Sequence, residues 1–288
     1  MSVHTQSPQL AVVQLLSTND IESNFRKCQS LIHEAAMQGA CFISLPECFE
    51  FIGETTQDAL SIAQPLDGPL FSRYRELAVK EQVWLSLAGF HEKGPDDAHI
   101  YNTHVVVDSK GSMVAVYRKL HLFDVDIQDG RISESQTTAP GKEMVIVNNT
   151  PIGNVGLTTC YDVRFPELYS CLAGYGADVI LVPAAFFPST GEAHWEVLLR
   201  ARAIENEVYI AAAAQVGKHN NKRSSYGHSM IVDPWGSIIG QLGKKENEYC
   251  CCTIDSAYLQ LIRQRIPKWK HRRDDIYGHL TRPQSLNS

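Results

Sequence analysis

Along the 288 residues, apolar runs of strand length alternate with segments whose apolar positions recur at helical spacing. "LAVVQLL" (10–16), "CFISLP" (41–46), "VWLSLAGF" (83–90), "NTHVVVD" (102–108), "GNVGLTTC" (153–160), "DVILVP" (178–183), "VYIAAAA" (208–214) and "GHSMIVD" (227–233) predict strands. Their near-continuous apolarity predicts sheets buried on both faces. "NFRKCQSLIHEAAMQG" (24–39), "FSRYRELAVKEQ" (71–82), "PELYSCLAGYG" (166–176) and "EAHWEVLLRARAIENE" (192–207) predict amphipathic helices. "DSKG" (108–111) and "DPWG" (233–236) sit between strand-like runs and predict hairpins.

The pattern partly repeats. "GACFISLP" (39–46) parallels "GADVILVP" (176–183), and "VVDSKGS" (106–112) parallels "IVDPWGS" (231–237). In each half a helix ending at Gly feeds a strand ending at Pro, and a hairpin follows. Two similar α/β halves with packed sheets would read this way, although any two βα units share such strings by chance. No long Pro/Ser-rich linker divides the halves, so residues 1–288 are taken as one domain.

Composition narrows the class without changing it. The chain is 44% hydrophobic and 20% charged, with net charge −6, as in an ordinary soluble globular protein. A basic nucleic-acid footprint is missing. The apolar runs fall far short of the roughly 20 residues of a membrane span. No Lys or Arg precedes Arg26, which disfavours a secretory signal or an Arg-rich transit peptide and points to the cytoplasm. Eight cysteines stand at 28, 41, 48, 160, 171, 250, 251 and 252, with no C-x-x-C pair, so a zinc site of usual spacing is not expected. Cys250–Cys252 would alternate faces on a strand and form no compact ligand set. Reduced thiols are the expectation, and the sequon at Asn148 is read as chance.

Candidate chemistry starts at "GLTTCYDVRFPELY" (156–169), where Cys160 stands between a strand-like run and a helix start. Such a cysteine is a core residue or a nucleophile. Glu47 follows Pro46 at another strand end, and Lys119 in "VYRKLHLFD" follows a third apolar run. Carboxyl ends of strands in α/β sheets face the ligand crevice. A thiolate attacks carbonyls, a carboxylate takes the thiol proton and returns it to a leaving amine, and a lysine cation stabilises the oxyanion. Singly, each residue also fits a plain reading: buried thiol, solvated carboxylate, surface ammonium.

Together, "LPEC", "YRKLHLFD" and "CYDVRFPE", in this order, resemble the Glu, Lys and Cys motifs of the nitrilase (carbon–nitrogen hydrolase) superfamily. The similarity continues through "GEAHWEVLLRARAIENEVYIAAAAQVG", "SYGHSMIVDPWG" and "HRRDDIYG", from about residue 8 to residue 283. The resemblance implies an α/β fold, a four-layer α-β-β-α sandwich of two mixed sheets. It implies an amidase with Glu47 as general base, Lys119 as oxyanion stabiliser, Cys160 as nucleophile, Glu134 in "ISESQT" as a second, positioning glutamate, and the Tyr161 amide as an oxyanion donor. It implies no metal or organic cofactor, a small-molecule amide substrate and a homo-oligomer (dimer or tetramer). Within the superfamily the implied substrate is an amide of an α-keto acid, deaminated glutathione ahead of α-ketoglutaramate. A non-catalytic interaction protein on the same fold is the contrasting reading.

Arg164 is a candidate bidentate anchor for a substrate carboxylate, or else a structural partner of Glu167 or Asp162. His194 and Trp195 are candidate pocket residues, with plain packing the alternative for Trp195, and Phe186 and Phe187 share that ambiguity. "KWKHRR" (268–273), followed by Asp274 and Asp275, reads as a solvated tail or subunit contact.

Overall fold

Alternation along the buried strands sets the layers of this computed structural model, which describes residues 7–127 and 130–278. The expected core up to residue 283 therefore lies partly outside the described residues. The first half runs β1 (Gln9–Leu15), α1 (Ile21–Met37), β2 (Ala40–Ser44), α2 (Thr56–Ile62), α3 (Pro69–Glu81), β3 (Trp84–Asp96), β4 (His99–Val107) and β5 (Met113–Arg118). A ribbon of β6 (Asp124–Ile127) and β7 (Gly130–Ser133) leads to a 3-10 turn at Glu134–Gln136. The second half runs β8 (Ile146–Thr150), β9 (Gly153–Leu157), a 3-10 helix at Cys160–Arg164, α4 (Pro166–Gly174), β10 (Val179–Leu181), α5 (Pro188–Asn206) and β11 (Tyr209–Ala212). Then come β12 (Ala214–Lys218), β13 (Ser224–Tyr226), β14 (Met230–Val232), β15 (Ile238–Gln241), β16 (Glu248–Thr253), α6 (Ser256–Arg265), α7 (Lys268–His271) and α8 (Asp274–Tyr277).

One face of β1, with Leu10 and Val12, joins a core shared by the two sheets. The other face, with Ala11, Val13 and Leu15, packs beneath α1 and α3. Likewise Val179 and Leu181 of β10 face the other sheet, while Ile180 packs with α4 and α5. Both faces of each central strand are therefore dry, and four layers result: helices, sheet, sheet, helices. Local chemistry sets the helix starts, and it places α1 at Ile21 and α5 at Pro188, ahead of the expected 24 and 192. Asp20 caps α1 by accepting from the Ser23 amide at 2.9 Å, and Pro166 and Pro188 open α4 and α5.

The repeat read from the strings is present in the pairing. Strands β16-β1-β2-β3-β4-β5 of the first sheet match β8-β9-β10-β11-β14-β15 of the second in order. The outer pairs are antiparallel and the inner pairs parallel in both. The two hairpins agree bond for bond. Asp108 Oδ1 accepts from the amides of Lys110 and Ser112, and Asp233 Oδ1 from those of Trp235 and Ser237. Gly111 and Gly236 follow at φ +77° and +88°, a left-handed conformation that favours glycine.

Several expected bounds shift. The run 153–160 is a strand only to Leu157, because the chain must turn before Cys160. The run 208–214 is two strands: β11 belongs to the second sheet, whereas β12 crosses over to pair with β1 in the first. "KWKHRR" is not a free solvated tail. Trp269 packs against the outer core of the second sheet, with Lys268 and Arg272 over its ring. Cys250 and Cys252 face the inter-sheet core and Cys251 the opposite one, as strand alternation requires. Among the described residues, no helix is long and apolar enough to cross a membrane.

Candidate active site

Three chain turns converge on one cleft of about 560 Å³. Glu47 sits just past β2, Lys119 just past β5, and Cys160 just past β9. Two of these turns belong to the first sheet and one to the second, so the sheet-on-sheet packing assembles the site.

At Glu47 the chain bends sharply, and Cys48 takes φ +57°. The bend lies on Gly89, itself at φ +71°. A Cβ there would stand 2.3 Å from the Cys48 nitrogen. From β12, the Gln215 amide donates to the Glu47 and Cys48 carbonyls at 3.0 and 3.2 Å. The carboxylate is 3% exposed as a residue and fully engaged. Oε1 accepts from Asn102 Nδ2 at 2.9 Å and from Lys119 Nζ at 3.2 Å, and Oε2 from the Ala185 amide at 3.0 Å.

Lys119 is 2% exposed and lies between two carboxylates. Its Nζ donates to Glu134 at 2.8 and 3.1 Å as well as to Glu47. Glu134 is held by the Phe123 amide at 2.7 Å and by Asn102 Nδ2 at 3.2 Å. Asn102 thus ties both glutamates, and its carbonyl accepts the Lys119 amide at 2.9 Å.

Cys160 begins the 3-10 helix at φ +51°, a left-handed conformation that is strained for a side chain with a Cβ. Its amide donates to the Pro183 carbonyl at 2.8 Å. Asp162 clamps the same turn. Its Oδ2 accepts from the Thr159 amide at 2.8 Å and the Tyr117 hydroxyl at 2.6 Å. Its Oδ1 accepts from the His121 amide at 3.1 Å and contacts His121 Nδ1 at 2.7 Å. One buried carboxylate therefore locks the Lys119 turn to the Cys160 turn. His104 adds a second tie: Nδ1 donates to the Thr158 carbonyl at 2.9 Å, and Nε2 takes the Ser86 hydroxyl at 2.7 Å. Burial lowers its pKa to about 4, so the ring is neutral.

The charge states follow from this packing. Burial raises the Cys160 thiol well above the ordinary 9.0, and the neighbouring Glu47 charge adds to that, so the resting sulfur carries its proton. Burial pushes Glu47 up, but the Lys119 cation and hydrogen bonds from Cys160 and Asn102 outweigh it and leave the carboxyl below 4.5. Burial works against the Lys119 cation, yet Glu134 and Glu47 hold its pKa well above 10.5. The resting site is thiol, carboxylate and ammonium.

Not every expected residue joins this cleft. Tyr161 and Arg164 line it. The Arg164 guanidinium meets His194 Nδ1 at 3.3 and 3.4 Å and lies over the rings of Phe186 and Tyr161; neither Glu167 nor Asp162 holds it. Trp195 is 1% exposed and donates Nε1 to the His228 carbonyl at 2.8 Å. It is core packing, which corrects its assignment to the pocket. His194 is exposed on the first turns of α5 and reaches the cleft only through Arg164, so it too is no lining residue. Phe186 and Phe187 do line the wall. Asn102, Gln215 and Arg223 were not singled out from sequence, and Asp162 only as a possible partner of Arg164. Asp162 lies inside the cysteine motif, whereas the others are unremarkable polar residues.

This fold and this Glu–Lys–Cys cluster define a hydrolase of carbon–nitrogen bonds other than peptide bonds. The chain belongs to the carbon–nitrogen hydrolase family, whose model matches residues 9–264. It is 48% identical over 282 residues to the deaminated glutathione amidase of Homo sapiens, covering 96% of this chain and 86% of that protein. Among solved structures, the NitFhit protein of C. elegans superposes with a TM-score of 0.91 at 45% identity, over 98% of this chain and 68% of that one. A Saccharomyces cerevisiae member of branch 10 of the nitrilase superfamily superposes with a TM-score of 0.82 at 30% identity, over 95% and 99% of the two chains.

Proposed function

We propose that the protein cleaves the amide bond of deaminated glutathione, giving 2-oxoglutarate and Cys-Gly, through a thioester on Cys160. The observation that carries the chemistry is the convergence of Glu47, Lys119 and Cys160 in one cleft. The same cleft carries Arg131, Arg164, Lys222 and Arg223 on its walls, which suits a substrate with two carboxylates. The similarity to deaminated glutathione amidases supports that choice.

Glu47 takes the Cys160 proton as the sulfur attacks the amide carbon, forming a C–S bond. The negative oxygen develops between Lys119 Nζ and the Tyr161 amide. That amide is open, because the first bond of the 3-10 helix runs from the Asp162 amide to the Thr159 carbonyl. Glu47 then hands its proton to the departing nitrogen, and the C–N bond breaks. In the second half, Glu47 deprotonates a water that attacks the thioester. The C–S bond breaks and the proton returns to sulfur. Glu134 keeps Lys119 charged and aimed. Arg164 holds the keto-acid carboxylate on the Cys160 wall.

Catalytic groups from both sheets support one carbon–nitrogen hydrolase domain. Eight free thiols support a reducing compartment such as the cytoplasm. The exposed Val197 and Ile204 on α5 support pairing of two or more copies.

The test is kcat/KM for deaminated glutathione, glutathione and α-ketoglutaramate under one set of conditions. Glutathione carries an ammonium where the deaminated compound has a keto group, and an unpaired buried charge costs several kcal/mol. A preference of roughly 10² or more for the deaminated form is expected. Equal values for glutathione and its deaminated form would overturn the substrate reading. A clear preference for α-ketoglutaramate would move the enzyme to ω-amidase chemistry.

A further inference from the structure

Among the described residues, Arg223 is the one cleft guanidinium with a donor sealed from solvent and no acceptor to use it. Its Nε is buried and has no hydrogen-bond partner among the described residues. The contact of its guanidinium is the ring of Phe187, 5.9 Å from centroid. An unsatisfied buried donor on a charged group is costly, and the protein holds it there firmly. The loop 219–223 between β12 and β13 is pinned from below. His219 Nδ1 donates to the Ser17 carbonyl at 2.8 Å, and Nε2 meets the Ser225 hydroxyl at 2.8 Å. Asn220 donates to the Gly53 carbonyl at 2.9 Å and accepts the Arg223 amide at 2.9 Å. Burial lowers the His219 pKa to about 4, so this support keeps one protonation state at neutral pH.

The position of Arg223 relative to the triad is informative. It follows β12, the strand whose Gln215 fixes the Glu47 and Cys48 carbonyls. Its charge reaches Glu47 and Cys48 and helps to stabilise their anionic forms. Arg223 therefore stands on the Glu47 wall, whereas Arg164 stands on the Cys160 wall. Glu47 delivers the proton to the departing nitrogen, so the leaving group must lie on the Glu47 side.

We infer that Arg223 binds the carboxylate of the departing amine, and so selects amides whose leaving group is an anionic peptide over simple ω-amides that release ammonia. Lys222, beside it on the cleft, adds a second positive charge. The inference rests on the substrate reading above and extends it. Arg164 and Arg223 divide the two carboxylates of one substrate between the acyl and amine sides of the bond that breaks.

Arg223→Gln keeps a planar amide of similar shape and removes the charge. The wild type and this variant are compared on three amides with the same 2-oxoglutaryl acyl group. Their leaving groups are Cys-Gly, cysteinylglycinamide and ammonia. For the Cys-Gly amide, kcat/KM should fall about tenfold or more, chiefly through KM, as for one charge-assisted bond. The other two amides have no leaving-group carboxylate to lose, so any loss there comes through the Glu47 charge and is shared by all three, and the preference for the Cys-Gly amide over each of them should fall about tenfold or more. An equal loss on all three amides, or no loss on any, would overturn the inference while leaving the substrate reading intact. Failure of the substrate reading looks different: a wild type that cleaves the ammonia amide but not the Cys-Gly amide, and the inference would then fall with it.

Discussion

At the scale of single residues, the proposed mechanism starts from a protonated Cys160 thiol. Cys160 is pushed up by burial and by Glu47, Glu47 is drawn below 4.5, and Lys119 stays charged between two carboxylates. In the proposed mechanism the working form has Glu47 ionised, so activity should be lost as pH falls through a value under 4.5. No thiolate forms in the neutral range to add a rise. With α-ketoglutaramate as substrate, kcat/KM should therefore be flat from about pH 5.5 to 8. A limb with an apparent pKa between 6 and 8 would show that another group, such as a thiolate–imidazolium pair, drives the reaction. The sequence made Glu47, Lys119 and Cys160 legible because each sits in a distinctive string at a strand end. Asn102 gave no such signal. Its role comes from lying beside both glutamates, Glu47 55 positions away and Glu134 32 positions away.

Elements bring these side chains together through a few shared anchors. Asp162 accepts from the Cys160 turn and from both Tyr117 and His121, which flank Lys119. Asp162→Ala strands a buried amide and hydroxyl, each worth about 1–3 kcal/mol when unsatisfied. The expected outcome is a stability loss of about 3 kcal/mol in denaturant unfolding, together with a fall in kcat of roughly tenfold or more in the folded fraction. Wild-type kcat in folded Asp162→Ala would show that the two turns are held by other contacts. The long apolar strands and their flanking helices were readable from period. The half-buried pieces were not. None of α2 is buried, and β16 alternates around a cysteine run whose pattern fits a strand or a loop equally. The split of 208–214 was hidden because "AAAA" is apolar throughout, and only pairing partners distinguish the strand that stays in its sheet from the one that crosses.

On the scale of the whole molecule, two copies of one strand order pack face to face, and the candidate site lies where their strand ends meet. The repeated strings around Gly39, Gly176, Asp108 and Asp233 signalled this, because hairpin and helix-end geometry is written locally. The division of labour between the halves was not written there. The first supplies Glu47 and Lys119, and the second supplies Cys160. Trp195 shows the opposite limit, since a motif string did not reveal that its ring points into the core. The most direct test of the account is release of 2-oxoglutarate from deaminated glutathione by wild type and by Cys160→Ala, with unfolding curves run on both. Steady turnover is expected of the wild type and none of Cys160→Ala, whose unfolding midpoint should stay close to wild type. Retention of more than a few per cent of wild-type kcat by folded Cys160→Ala would contradict the account.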